Sequence, residues 1–176
     1  MKLLALDPAA ATGFAWQDTA SPNFPLYGVW QLTGGKGEHP GQRLERLRRY
    51  IYDMQRAFGI DRIAYEDASF GSHNPSTQAL HNQLAGVILL VASELNIPAV
   101  PVNPASLKKF ATGNGRAVKA QMIRACETML SIRTEDNNIA DALWVLEWAK
   151  QHPNATAVKA RSARRRPRRT KVPRLF

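Results

Sequence analysis

Short apolar runs that alternate with amphipathic stretches are the strongest constraint on how this chain can fold. Five apolar runs predict strands, at about residues 3–6, 13–16, 26–32, 60–65 and 98–102. Four stretches with apolar residues at steps of three or four predict helices, at about residues 42–58, 76–95, 118–130 and 137–150. The resulting order, βββαβαβαα, favours an α/β domain with a five-stranded mixed sheet flanked by helices.

The length and the cysteine count indicate the number of domains and the cellular compartment. A chain of 176 residues fits one domain. A single cysteine, Cys126, excludes a disulfide scaffold and favours a reducing compartment. The longest apolar run, residues 84–92, is far shorter than the ~20 residues of a membrane span, and Asp7 interrupts any leader-like start. We therefore expect an intracellular, cytoplasmic protein with no membrane partner.

The positive charge is concentrated at the C-terminus. The whole chain carries a net charge of +10, yet residues 1–158 are nearly neutral. Nine basic residues and no acid lie between Lys159 and Arg174. We predict a folded domain over residues 1–152 and a basic, flexible tail over residues 153–176 that binds nucleic acid, because Arg side chains pair with phosphate oxygens. A tail that only aids solubility is the alternative.

Three acidic residues lie at the ends of predicted apolar strands or on the apolar face of a predicted helix. Asp7 follows the first strand, Glu66 follows the fourth, and Asp141 lies on the apolar face of the last helix. Ligands of open sheets bind at the carboxyl ends of parallel strands, so these acids could converge. Each one alone is better explained as a strand-end cap or a surface residue, and only the three together favour a site.

Crowded carboxylates repel one another, and a divalent cation removes the conflict. Ligands that are all oxygen, without His or Cys, suit Mg²⁺, which Mn²⁺ can replace. Two such ions, ~3.5–4 Å apart, would clamp a scissile phosphate and activate water. An acidic cluster combined with a basic tail therefore predicts metal-dependent hydrolysis of phosphodiester bonds.

The motifs resemble those of the RuvC-type Holliday junction resolvases, in the phage-like branch of the ribonuclease H-like superfamily. The resemblance covers roughly residues 2–150 and rests on four segments, 4–15, 64–66, 104–119 and 136–143. It implies a ribonuclease H-like nuclease domain, two Mg²⁺ per active site and a homodimer built mainly on the helix over residues 76–95. It also implies a bacterial or phage-infected host cell as the setting, with a nucleoid-associated protein as the alternative.

One position departs from the family pattern. Bacterial members carry two aspartates three residues apart on the last helix, whereas Asn138 stands three residues before Asp141 here. Asp136 reaches the site only if the helix begins after it. We expect Asp136 to be the fourth acid, and leave open Asn138 as the ligand and a helix N-cap as the role of Asp136.

The resemblance also implies roles for other residues. Lys108 and Lys119 would hold phosphates of the scissile strand, with Lys119 stabilising charge in the transition state. Lys109 and Arg116 would add phosphate contacts. Phe70 would stack on an unpaired base, although anchoring its loop to the core is the alternative. In the tail, the expected phosphate contacts are Arg161, Arg164, Arg165, Arg166, Arg168 and Arg169.

The expected function is a crossover junction endodeoxyribonuclease that cuts four-way and other branched DNA, with Asp7, Glu66, Asp136, Asp141 and Lys119 as catalytic residues. No nucleotide cofactor is expected. Two alternatives stay open, a non-catalytic binder of branched DNA and an actin-like ATPase. The ATPase is disfavoured because residues 8–11, Pro-Ala-Ala-Ala, lack the glycines of a phosphate loop.

Overall fold

The computed structural model describes residues 1–21, 23–67 and 74–157. Its five strands are β1 (Lys2–Asp7), β2 (Ala11–Asp18), β3 (Leu26–Gln31), β4 (Arg62–Glu66) and β5 (Ala99–Val102). Its helices are α1 (Gly41–Phe58), α2 (Pro75–Glu94), α3 (Pro104–Thr112), α4 (Lys119–Ala125) and α5 (Asn137–Gln151). A π-helical turn, Cys126–Leu130, continues α4. The predicted α/β class is confirmed.

The strands form one mixed sheet in the order β3-β2-β1-β4-β5. β1 pairs antiparallel with β2 and parallel with β4, so it lies at the centre of the sheet. β4 also pairs parallel with β5. The carboxyl ends of β1, β4 and β5 therefore meet at one edge.

Each face of the sheet has its own apolar core. One face packs against α1 and α2, with Leu4 and Leu6 of β1 among its buried residues. The other packs against α3, α4 and α5, with Leu3 and Ala5 facing that side. The alternation of side chains along β1 explains this division, since successive residues of a strand point to opposite faces.

Helix α3 was not predicted, because its segment was expected to form a basic loop. The Asn103 side chain accepts hydrogen bonds from the backbone N–H groups of Ala105 and Ser106, and Pro104 begins the helix. Gly113 ends it in the left-handed region, at φ 78°. These capping signals define a helix that is too short and too polar to show a clear apolar periodicity.

The end of the described chain is fixed by a buried arginine. Arg62, at the start of β4, is only 4% exposed. Its guanidinium donates hydrogen bonds to the carbonyl oxygens of Pro153 at 2.6 Å and Ala155 at 3.0 Å. Arg62 is the first residue of β4 and Glu66 is the last. Because Arg62 binds the segment that follows α5, this segment lies at the end of the sheet opposite to the acids.

Among the described residues, no helix combines the length and the apolar character needed to cross a membrane.

Candidate active site

Asp7 and Glu66 end two neighbouring parallel strands. The register pairs Leu6 with Tyr65, so Asp7 and Glu66 take the next adjoining positions, on strands ~4.8 Å apart. Leu6 and Tyr65 belong to the core beneath α1 and α2. Because side chains alternate, Asp7 and Glu66 project to the opposite face, where α5 lies. Strand pairing alone thus places two carboxylates side by side.

Helix α5 contributes the third acid. Asp141 is partly buried, and its neighbours Ala140 and Ala142 are fully buried in the core beneath the helix. The Asp141 charge raises the pKa of both Asp7 and Glu66, so the three carboxylates lie within range of direct charge interaction. The structure therefore brings together the three acids singled out in the sequence.

Burial and mutual repulsion raise the pKa values of all three acids. The pKa of Asp7 lies well above its ordinary value, first because of burial and then because of the charges on Glu66 and Asp141. Burial, followed by the Asp141 charge, raises the pKa of Glu66 to about 7. Burial raises the pKa of Asp141 to about 6. Such shifts are typical of functional sites, because ionising a buried cluster costs free energy that a bound cation would offset.

Asp136 caps helix α5 and also borders the cluster. Its Oδ1 atom accepts hydrogen bonds from the backbone N–H groups of Asn138 at 2.7 Å and Ile139 at 3.3 Å. Its charge is among the causes that raise the pKa of Asp7. The capping role that the sequence left open is therefore present, and it is compatible with a place beside the acids.

Two lysines supply positive charge at the cluster. Lys108 of α3 lowers the pKa of Glu66 and Asp141, and Lys119 at the start of α4 lowers that of Asp7 and Asp141. Lys109 and Arg116 are exposed to solvent. Phe70 and the six tail arginines lie outside the described residues, so their predicted roles stay predictions.

Sequence reasoning assigned no role to Thr12, which shapes the loop after Asp7. The Thr12 side chain is fully buried, and its hydroxyl donates to the carbonyl oxygen of Ala9 at 2.7 Å. The backbone N–H of Ala9 donates back to that hydroxyl at 3.3 Å. A Thr beside a Gly inside an apolar strand was the available signal, since neither side chain adds to the apolar run.

The donor set suits a hard divalent cation. Asp7, Glu66 and Asp141 offer carboxylate oxygens, the ligands that Mg²⁺ and Mn²⁺ prefer. Across residues 1–21, 23–67 and 74–157, no three His, Cys, Asp or Glu side chains are already arranged to hold a metal ion. The three acids share one electrostatic neighbourhood, so a cation would draw together side chains that otherwise repel one another. Their chemistry fits such an ion.

One protein family matches most of this chain, both by its family model and by individual relatives. A family model described as crossover junction endodeoxyribonuclease RuvC matches residues 4–146. The protein of that name from Moorella thermoacetica is 30% identical over 148 residues, which cover 82% of this chain and 88% of that protein. Its namesake from Rhodopirellula baltica is 27% identical over 144 residues, covering 80% and 81%.

Solved structures share the fold. Thermus thermophilus RuvC matches with a TM-score of 0.69 at 17% identity, over 90% of this chain and all of that one. The same protein in complex with Holliday junction substrate matches with a TM-score of 0.68 at 18% identity, over 82% and 90% of the two chains. The predicted ribonuclease H-like architecture is confirmed by these neighbours.

The raised pKa of Glu66 predicts how stability depends on pH in the absence of metal. An acid whose pKa is higher in the folded than in the unfolded state loses stabilisation as pH rises between the two values, here from about 4.5 to about 7. Glu66→Gln should therefore raise the free energy of unfolding at pH 8 by roughly 2–3 kcal/mol and leave it nearly unchanged at pH 4.

Urea unfolding in EDTA at pH 4, 6 and 8 would measure this difference, with Glu127→Gln, at an exposed position, as the control. A Glu66→Gln chain less stable than the wild type at pH 8 would contradict it.

Proposed function

The chain belongs to the crossover junction endodeoxyribonuclease RuvC family and is a Holliday junction resolvase; we propose that it cuts DNA at the cluster of Asp7, Glu66 and Asp141. The observation that carries this assignment is the meeting of three mutually repelling, partly buried carboxylates at the edge of the sheet. A structural role alone does not explain why like charges converge in a site that raises their pKa values.

The family is metal-dependent, and we propose that this chain uses two Mg²⁺ ions, which Mn²⁺ can replace. Asp7 adjoins Glu66 on the neighbouring strand, and the charges of Glu66 and of Asp141 on α5 both act on it, so its carboxylate would help to hold both ions. Bound metal would polarise the scissile phosphate and lower the pKa of an attacking water. Cleavage would leave 5′-phosphate and 3′-hydroxyl ends.

Asp136 is the fourth carboxylate that we assign to the cations. Its Oδ1 atom is engaged at the helix N-terminus, which fixes the side chain, and the second carboxylate oxygen is assigned to the cation. The negative charge of Asp136, which adds to the repulsion on Asp7, supports this choice over the neutral amide of Asn138.

The two lysines hold the DNA backbone. Lys108 and Lys119 already act on the acids through charge, which supports a position for their ammonium groups beside the scissile phosphate. Each ammonium can donate hydrogen bonds to phosphate oxygens, and Lys119 would stabilise the negative charge that develops in the transition state. Lys109, Arg116 and Phe70 extend this surface in the proposal.

Asp7→Asn should abolish cleavage of a synthetic four-way junction, by at least about 1,000-fold, because it removes the carboxylate shared by the ions. Junction binding should persist, since removing one negative charge does not weaken contact with phosphates. A gel assay with Mg²⁺ measures cleavage, and electrophoretic mobility in EDTA measures binding.

Asp53→Asn, which changes a half-exposed acid on α1 that pairs with Arg56, is the control and should cleave normally. An Asp7→Asn chain that resolves junctions at the wild-type rate would favour the alternative in which the acids are merely structural.

A second copy of the chain is the proposed partner, because two symmetric cuts require two active sites. The outer side of α2 exposes Ala79, Gln83, Gly86 and Leu90, which recur at helical spacing. Leu90 is 52% exposed, and a side chain at Gly86 would meet no atom within 4 Å. Three of these four residues are small or apolar, which suits close contact between two copies of the helix.

Leu90→Glu should convert the dimer to a monomer, because the interface would bury a carboxylate without a partner. Sedimentation velocity of the full chain measures the change. Leu26→Glu places the same charge on β3, at a residue that is 41% exposed, and should leave the dimer intact. Equal sedimentation of Leu90→Glu and the wild type would remove α2 from the interface.

The basic part of the predicted tail, residues 159–176, is proposed as a second DNA-binding segment, whereas Pro153 and Ala155 are held to the folded domain by Arg62. Neutralising five arginines to Gln, at positions 164, 165, 166, 168 and 169, should weaken junction binding. The slope of log affinity against log salt should become shallower by up to ~0.9 for each phosphate that the tail no longer neutralises.

Fluorescence anisotropy between about 50 and 200 mM salt gives this slope, and metal-dependent cleavage at saturating protein should survive. Arg56→Gln, on an exposed side chain of α1, is the single-charge control. An unchanged slope in the five-residue variant would support a tail that only aids solubility.

A further inference from the structure

Gly13 lies inside strand β2, where glycine is an unfavourable choice. It is paired on both sides, with Asp7 of β1 and with Val29 of β3. Among the residues that the structure describes, positive φ values at glycines occur at Gly37, Gly59 and Gly113, and Gly13 is not one of them. Backbone conformation therefore does not require glycine here. A glycine in a strand interior often marks the close approach of another backbone.

The backbone that approaches Gly13 is the first turn of α5. A Cβ atom built on Gly13 would lie less than 3.0 Å from the carbonyl oxygen of Asn138 and 3.1 Å from its Cα. Real Cβ atoms essentially never come within 3.0 Å of a heavy atom outside their own residue and its chain neighbours. The neighbour is backbone, so it cannot rotate away as a flexible side chain could. Any larger residue at position 13 must push the helix outward or bend the strand.

This close contact lies beside the acids. In the register of β1 and β2, Gly13 is directly opposite Asp7. Asn138 lies two residues after Asp136 and three before Asp141. The charges of both acids raise the pKa of Asp7. One backbone contact thus connects the strand position beside Asp7 to the helical turn that carries the other carboxylates.

We propose that Gly13 is a positioning residue that sets how closely Asp136 and Asp141 approach Asp7. The inference rests on the proposed function only in assigning these carboxylates to a divalent cation. A methyl group at position 13 would displace the first turn of α5, and the carboxylates would then be too far apart to share an ion. Displacements of about 1 Å are enough to lower rates about 100-fold in enzymes that depend on precise positioning.

The test is Gly13→Ala in the full chain, with Mn²⁺ as the probe. Isothermal titration calorimetry should show Mn²⁺ binding at least about tenfold weaker than in the wild type. The rise in melting temperature that Mn²⁺ produces should shrink in parallel. Junction binding in EDTA, which needs no metal, should stay within twofold of the wild type.

Two controls separate positioning from a general decrease in stability. Gly35→Ala adds the same methyl group where no atom lies within 4 Å, and should change nothing. Ala15→Gly acts on the same strand and the same face, at a fully buried residue two positions further on. It should lower the melting temperature without weakening Mn²⁺ binding.

Three results would overturn the inference. The first is wild-type Mn²⁺ affinity in Gly13→Ala, and the second is a Gly13→Ala chain that does not fold, which would show that the glycine serves the fold rather than the site. The third is a wild-type chain that binds no Mn²⁺. If instead the wild type binds Mn²⁺, Gly13→Ala binds it more weakly, and neither cuts junctions, the positioning role stands and the proposed cleavage site fails.

Discussion

Close packing of helix α5 on the centre of the sheet is the contact on which the site depends. Ala5, Ala15 and Ala64 lie on three neighbouring strands, and all are fully buried in the core that includes α5. Small side chains at these positions let the helix approach the strands, since protein interiors leave no room for larger ones. Because α5 begins at Asn137, its second turn carries Asp141 to the edge where β1 and β4 end.

The electrostatic free energy of the acidic cluster is unfavourable, and other interactions in the fold offset it. Burial and like charge raise the pKa values of Asp7, Glu66 and Asp141, so the ionised cluster opposes folding. Lys108 and Lys119 offset part of the repulsion. Two apolar cores, one on each face of the sheet, hold the strands and α5 in place despite it. A cation and a phosphate backbone are the complementary charges that such an arrangement suits.

Much of the fold could be predicted because its signals are local. Apolar runs marked the strands, and helical spacing marked α1, α2, α4 and α5. Helix α3 escaped because its nine residues include two lysines and its ends are defined by caps at Asn103 and Gly113 rather than by periodicity. The roles of Thr12 and Gly13 were not predicted either, because both depend on contacts that the fold creates. Thr12 bonds to the loop after Asp7, and Gly13 meets a helix more than 120 residues later.

The sequence by itself determined the order of the strands and of the helices other than α3, the placement of acids at the ends of elements, the concentration of basic residues at the C-terminus and the family. These features follow from residue type and spacing along the chain. Only the tertiary structure decided that Asp7 and Glu66 project to the face covered by α5, that Asp136 caps that helix and acts on Asp7 through its charge, and that Lys108 and Lys119 act on the acids through theirs. The reason is physical: strand register and helix packing depend on contacts between distant segments, and a charge acts through space rather than along the chain.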